Sequence, residues 1–205
     1  MPGRTTDWLP IGDCAEVRPG YPVKARVVDA PRGTHQLIQP SHITPGVAYT
    51  YSEADRLRIV PQGKAERYAV QAGDVLFMSR GARNMATLLS DVPERSLPAG
   101  SFYVIRAVDG ILPAYLAWCL NQPQVQAAIA EIRTGAGTPI VQRGNFAAIP
   151  IPIPSLERQQ QLARLGELMA KEQHVRGSLV EVTQRYHQAL GRTILDTLHE
   201  NRSGG

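Results

Sequence analysis

Three short stretches carry the residue types that contact with nucleic acid requires. In Ser79-Arg-Gly-Ala-Arg-Asn84 a glycine at the end of a β-rich run lets the chain turn and leaves Arg80 and Arg83 on a projecting loop. A guanidinium can take a phosphate or both acceptors of a guanine, and the amide of Asn84 matches adenine. The plainer reading is a solvated turn whose glycine serves only the backbone. Arg32-Gly-Thr-His-Gln-Leu-Ile-Gln-Pro-Ser-His-Ile43 offers Arg32, His35 and Gln36 as base-reading types. Its two histidines, His35 and His42, have no acids close by and make poor metal ligands. In Arg133-Thr-Gly-Ala-Gly-Thr138 a helix end runs into a glycine-rich turn, with Gln142 and Arg143 just beyond. Backbone amides in such a turn can hold a phosphate, with Thr134, Gln142 and Arg143 around it, although a plain helix cap explains the glycines equally well. No Lys-Ser/Thr pair follows these glycines, so this is not a nucleotide phosphate loop.

The residue types that break bonds are missing. There is no Asn/Asp-Pro-Pro-Tyr/Phe run of an amino-methyltransferase, no cofactor-binding glycine motif after a strand, and no carboxylate pair followed by Glu-x-Lys to hold a nuclease magnesium. No catalytic residue, metal or cofactor is therefore expected. Cys14 and Cys119 sit in apolar surroundings and read as small buried thiols. The net charge of +4 is unevenly spread. Up to Pro154 there are 15 Lys and Arg against 12 Asp and Glu, and after it 7 against 6, so the surplus lies in the first part. Almost all of that surplus is arginine, the better bidentate donor.

The elements that must position these residues change character once. Up to about residue 110, Gly, Pro or Asp interrupts the chain every eight to twelve residues. Short β-rich runs lie between, at Val23–Asp29, Gln36–Gln39, Val47–Tyr51, Leu57–Val60, Val75–Met78, Ala86–Ser90 and Phe102–Arg106. That rhythm predicts an antiparallel or barrel-like β-domain with large loops. A helical insertion follows: Pro113 suits a first helical position, Asn121 and Pro123 stop that helix, and Val125, Ile129 and Ile132 mark a second. The alternating prolines of Ile149–Pro154 must be extended and away from a sheet centre. Residues 155–200 then predict one long helix of ~67 Å, at 1.5 Å per residue. Its apolar stripe comprises Leu162, Leu165, Met169, Val175, Leu179, Val182, Tyr186, Leu190, Ile194 and Leu198. A domain this size cannot bury such a stripe, so a partner helix must cover it. Gly177 and Glu172 are points where the helix could divide, the glutamines at 159–161 read as helix surface, and residues 201–205 read as a frayed tail. No run approaches the ~20 apolar residues that cross a bilayer, and the first seven residues have no apolar core, which makes the cytoplasm the default location.

Five features in this order resemble the specificity subunits of type I restriction–modification enzymes. They are Trp8-Leu-Pro-Ile-Gly-Asp-Cys-Ala-Glu-Val17, Gly73-Asp-Val-Leu-Phe-Met-Ser-Arg-Gly81, the helix Pro113–Asn121, the turn Thr134-Gly-Ala-Gly-Thr138, and Asn145-Phe-Ala-Ala-Ile-Pro-Ile-Pro-Ile-Pro-Ser-Leu-Glu-Arg-Gln159. The resemblance implies an α+β chain, with a β-rich target-recognition domain over 1–154 and a coiled-coil-forming helix over 155–200. In that family two such units stand in tandem about a pseudo-two-fold axis, their helices pair antiparallel, and each domain reads half of a split double-stranded DNA site. Methyltransferase subunits, and in some systems restriction subunits, dock alongside and supply the catalysis. One unit alone makes this chain look like a half-sized subunit, expected to pair with a second copy or with another half-subunit. Val141-Gln-Arg-Gly144 departs from the family pattern, in which an Ile-Ser-like pair is common. The competing expectation is a non-catalytic protein adaptor of a related phage-defence complex, without base readout.

Overall fold

The computed structural model describes residues 6–23 and 27–203, with side chains as far as residue 196. It opens with β1 (Asp7–Pro10), a helical turn α1 (Ile11–Cys14), β2 (Ala15–Pro19), β3 (His35–Ile38), β4 (Tyr49–Thr50) and β5 (Arg58–Ile59). Next come β6 (Val75–Met78), β7 (Ala86–Asp91), β8 (Ser96–Pro98) and β9 (Phe102–Ala107). The helical insertion is α2 (Pro113–Leu120) and α3 (Pro123–Glu131), followed by β10 (Arg133–Thr134), β11 (Ile140–Val141), α4 (Arg143–Ala147) and β12 (Pro150–Ile153). Last comes α5 (Leu156–Ser203). The chain divides into two compact units, one up to Glu167 and one from Leu168 onward.

The first unit is built on a five-stranded sheet in the order β2-β9-β6-β7-β4 and a three-stranded sheet in the order β5-β3-β8. The predicted antiparallel pattern holds for most pairs, but β3 with β8 and β4 with β7 run parallel. Of the predicted run Val23–Asp29, the described residues form no strand, and 24–26 lie outside them. The proline-alternating segment does take an edge position, as β12 against β1 in a two-stranded ribbon pairing Trp8 with Pro152. Edge placement is what a strand with missing N–H groups requires.

One face of the larger sheet carries the main core. Phe77, Ile105 and Val75 pack against Leu116 and Leu120 of α2, Ile129 of α3 and Phe146 of α4. The rings of Phe77 and Phe146 stack at 4.3 Å between centroids. Asn121 links α2 to the sheet by accepting the Ala86 N–H at 2.9 Å and donating to the Ala86 carbonyl at 2.8 Å.

The beginning of α5 belongs to this core, which overturns one expectation and narrows another. Gln159 is not helix surface: it is 1% exposed, accepts the Leu112 N–H at 2.9 Å, and donates to the carbonyls of Gly110 and Pro154. Leu162 is partly buried against the same core, so only the remainder of its side chain faces outward. Gly166 completes the seat, since a β-carbon there would overlap the indole of Trp118. In the second unit the helix continues through Glu172 and Gly177 without a break and includes Ser203, while the side chain of Leu198 and residues 204–205 lie outside the description. Among the described residues no helix is long and apolar enough to cross a membrane.

Candidate nucleic-acid interface

Two of the stretches singled out by residue type are neighbours in space. Ser79 leaves β6 with its backbone N–H and its hydroxyl both donating to the Ser101 carbonyl at 2.9 Å. Gly81, at φ 97°, then makes a reversal that a side chain would resist. The segment joining β10 to β11 lies along this turn: the Gly81 N–H donates to the Pro139 carbonyl, the Val141 N–H to the Ser79 carbonyl, both at 2.9 Å, and Arg80 bridges to Ile140. Arg133 ties the two together through its guanidinium, which donates to the Ala82 carbonyl at 3.1 Å. Beneath them the Tyr103 hydroxyl donates to the Val141 carbonyl at 2.6 Å.

This framework presents four arginines. Arg80 and Arg83 are exposed on the turn, Arg133 is half-buried at β10, and Arg143 is exposed at the first position of α4, which Phe146 anchors in the core. Burial raises the Tyr103 phenol above its ordinary value, while Arg143 and Arg80 pull it back. Both guanidinium groups therefore act on the same hydroxyl. Among the described residues none of the four arginines is in an ion pair. Arg106, by contrast, binds buried Asp74 through two bonds of 2.7 Å, and Arg56 pairs with Asp29 at 3.2 Å. Arg133 and Arg143 rest on backbone carbonyls, of Ala82 and Val17, which leave their charge uncancelled. A concentration of uncancelled guanidinium charge on a backbone held from below is suited to an anionic polymer. Thr134, whose hydroxyl donates weakly to the Ile140 carbonyl at 3.4 Å, and Gln142, the residue capping α4, are exposed beside them.

Other predicted contact residues have turned inward. Asn84 is buried and donates its amide to the Met78 carbonyl at 2.8 Å, closing the turn that displays Arg80 and Arg83. Gln36 is fully buried: its amide donates to the carbonyls of Leu37 and Asp55, and its oxygen accepts the Leu57 N–H. Each buried backbone group left unpaired would cost about 1–3 kcal/mol, so both residues work as internal braces. His35 is 8% exposed, with Nδ1 within 2.9 Å of the Thr34 hydroxyl. Arg32 stays exposed, but it lies in the turn before β3, and His35 and Gln36 lie on β3 in the three-stranded sheet, away from the turn and segment that carry the four arginines. Tyr103 and Arg133 were not among the expected contacts. The signal for Arg133 was its place at the mouth of the glycine turn, whereas Tyr103 looked like any strand aromatic.

The second unit displays the predicted apolar residues outward: Met169, Val175, Leu179, Val182, Tyr186, Leu190 and Ile194 are all exposed, and Leu168, Val180 and Leu195 join them. Leu165, just before the unit boundary, is exposed as well. Glu172 with Arg176 and Glu181 with Arg185 form ion pairs one turn apart along the helix.

Residues 9–165 match the family model described as the type I restriction modification DNA specificity domain. Among solved structures, the chain is similar to the S subunit of the type I restriction–modification system from M. genitalium, at 11% identity and a TM-score of 0.57 over 90% of this chain and 45% of that one. It is similar to the HsdS subunit from Thermoanaerobacter tengcongensis, at 16% identity and a TM-score of 0.58 over 84% and 38%. A chain from a structure concerning assembly and conformational transition of the type I system shares 15% identity and a TM-score of 0.66 over 96% and 45%. The chain spans less than half the length of each, and at these identities the likeness is one of fold. No curated protein matches it in sequence.

Proposed function

Because the chain belongs to the type I restriction–modification DNA specificity family, we propose that it recognises one half of an interrupted site in double-stranded DNA and brings methyltransferase subunits to it. The observation that carries this reading is the surface of Arg80, Arg83, Arg133 and Arg143, in no ion pair among the described residues and joined by the contacts of the Ser79–Asn84 turn with the β10–β11 segment. In this reading most of these guanidiniums hold backbone phosphates and fix the orientation, while Arg80 or Arg83 reads a guanine edge in the major groove. Thr134, Gln142 and Arg143 line the same contact. The chain performs no bond-making step itself. Adenine methylation, and cleavage where restriction subunits join, belong to partners that share the cytoplasm with the DNA. The exposed face of α5 is covered by a second helix of the same kind, either from another copy or from a different recognition unit. Two domains then face two half-sites.

Duplex binding measured across a salt series tests the reading. Each phosphate neutralised contributes about −0.9 to the slope of log affinity against log salt. Arg80→Ala, Arg83→Ala and Arg143→Ala should each flatten that slope by about one where they hold a phosphate. A bidentate base contact should cost ~1–3 kcal/mol at one base pair only. Binding that is flat across salt would instead favour an adaptor that meets protein. Comparing the methylated positions in a host with and without the gene then tests recruitment: loss of one split adenine motif is expected.

A further inference from the structure

The three-stranded sheet ends in a second gathering of arginines that are scattered in sequence. Arg32 is exposed in the turn Ala30–Gly33, which the Gly33 N–H closes by donating to the Ala30 carbonyl at 2.7 Å. That turn is fixed to β5, because the Ala30 N–H donates to the Arg58 carbonyl at 2.8 Å and the Thr34 N–H to the Ile59 carbonyl at 3.0 Å. On β3, Gln36 stands opposite Arg58 of β5 on one side and Ser96 of β8 on the other. Arg95 immediately precedes Ser96, and its carbonyl accepts the Gln36 N–H at 3.2 Å. Arg32, Arg58 and Arg95 therefore converge on the end of the sheet where His35 lies. Burial holds the His35 imidazole below its ordinary value; Arg95 and Arg58 push the same way and Glu66 opposes them.

Among the described residues Arg95 is the one non-glycine with positive φ, at 60°. A β-carbon crowds the backbone there, and turns with this geometry select Gly or Asn. The turn itself is secured by other atoms, since the Ser96 hydroxyl donates to the Pro93 carbonyl at 2.7 Å. The Arg95 side chain is exposed, and among the described residues its guanidinium takes no hydrogen bond or ion pair. A long cation is thus held in an unfavourable backbone state without serving the fold. Local strain of this kind is retained where it serves a surface function.

We propose that Arg95, with Arg32 and Arg58, is a second point of contact with duplex DNA, gripping backbone phosphate and setting how the domain lies on the double helix. The inference rests on the DNA-recognition reading above. Phosphate is favoured over bases because the base-reading side chains here, Gln36 and His35, face inward. Acids lie nearby, but Asp29 is taken up by the Arg58 N–H and the Arg56 guanidinium, and Glu66 faces His35 against two arginines. Contacts of this class orient the protein and carry no sequence information.

Arg95→Gly in the full chain separates the two roles. Its melting temperature should equal the parent's or rise by a few degrees, because the strain is released. Its affinity for mixed-sequence duplexes should fall several-fold at low salt, equally for unrelated sequences, with the salt slope flatter by about one. Arg95→Lys should keep most of the slope. A parent without salt-dependent duplex binding would sink the DNA reading as a whole. A salt-dependent parent whose Arg95→Gly variant keeps the same affinity and slope would overturn this inference alone. So would an Arg95→Gly variant that melts several degrees lower yet binds normally, which would show Arg95 serving the fold. An acidic protein captured in place of DNA, with the duplex slope unchanged by the variant, would also overturn it.

Discussion

Up to Glu167 the chain turns its large apolar side chains inward, and from Leu168 it turns them outward. Leu97, Leu116 and Phe146 are fully buried, whereas Leu179 is 63% exposed and Tyr186 64%. The presence of large apolar residues does not by itself predict this, since Leu, Val and Ile occur in both regions. The difference lies in topology: sheets and short helices cover one another, while a lone helix has nothing opposite its stripe. The first region carries cores of its own, and the second gains tertiary stabilisation when something packs on it.

The largest change should come from placing charge in the outward stripe. Leu179→Glu or Leu190→Glu should abolish association with a second helix, at a cost of about 3–5 kcal/mol for a charge without a buried partner. Sedimentation should show the loss while the domain's melting temperature stays put. If the domain unfolds as well, the stripe is part of its core and the contrast fails. The same logic inverted applies to Phe146→Ala. Removing the ring stacked on Phe77 should destabilise the domain by about 3–5 kcal/mol in denaturant unfolding and leave the oligomeric state alone. Next in size is the junction. Gln159→Ala strips partners from the Leu112 N–H and two carbonyls, so about 1–3 kcal/mol should be lost, whereas Gln160→Ala on the exposed side should change nothing measurable. Equal effects at 159 and 160 would mean that the start of α5 is not docked.

The smallest effect is on pH. Burial lowers both His35 and His42 below their ordinary values, and the Nδ1 of His42 accepts the Gln39 N–H at 3.4 Å, which needs a neutral ring. The unfolded chain therefore binds more protons than the folded one once the pH drops below about 6.5. Stability contributed by the neutral rings is fully present above that pH and declines as it falls toward the lowered folded values. A shallow decline should appear in thermal melts, smaller in His42→Gln. A melt that is flat from pH 7 down to 5 in the parent would contradict the burial of both rings.

How far these features could be read from sequence follows the range of the interactions that create them. The strand Val75–Met78 stands out between Gly73-Asp74 and Ser79, and the helix starting at Pro113 announces itself locally. The pairing of Trp8 with Pro152 has no local signature, nor has the parallel pairing of β3 with β8. Amides mislead most. Gln36, Asn84 and Gln159 have the chemistry to read bases or face water, yet each spends its donors on backbone carbonyls supplied by a fold that sequence spacing does not disclose. The arginine surface was half legible. Arg80 and Arg83 are near each other in sequence, but only the crossing of two loops brings Arg133 and Arg143 to them.

The ribbon in which Asp7 pairs with Ile153 sets the way into the recognition domain beside the way out. Paired strands lie about 5 Å apart, so whatever is spliced to either end sees nearly the same gap whichever domain fills it. An exchange between the two ends of the ribbon would replace all the arginines between them in one event. The incoming piece would still have to carry the lock for the first turns of α5, which the present one supplies through Leu112 for Gln159 and Trp118 for Gly166.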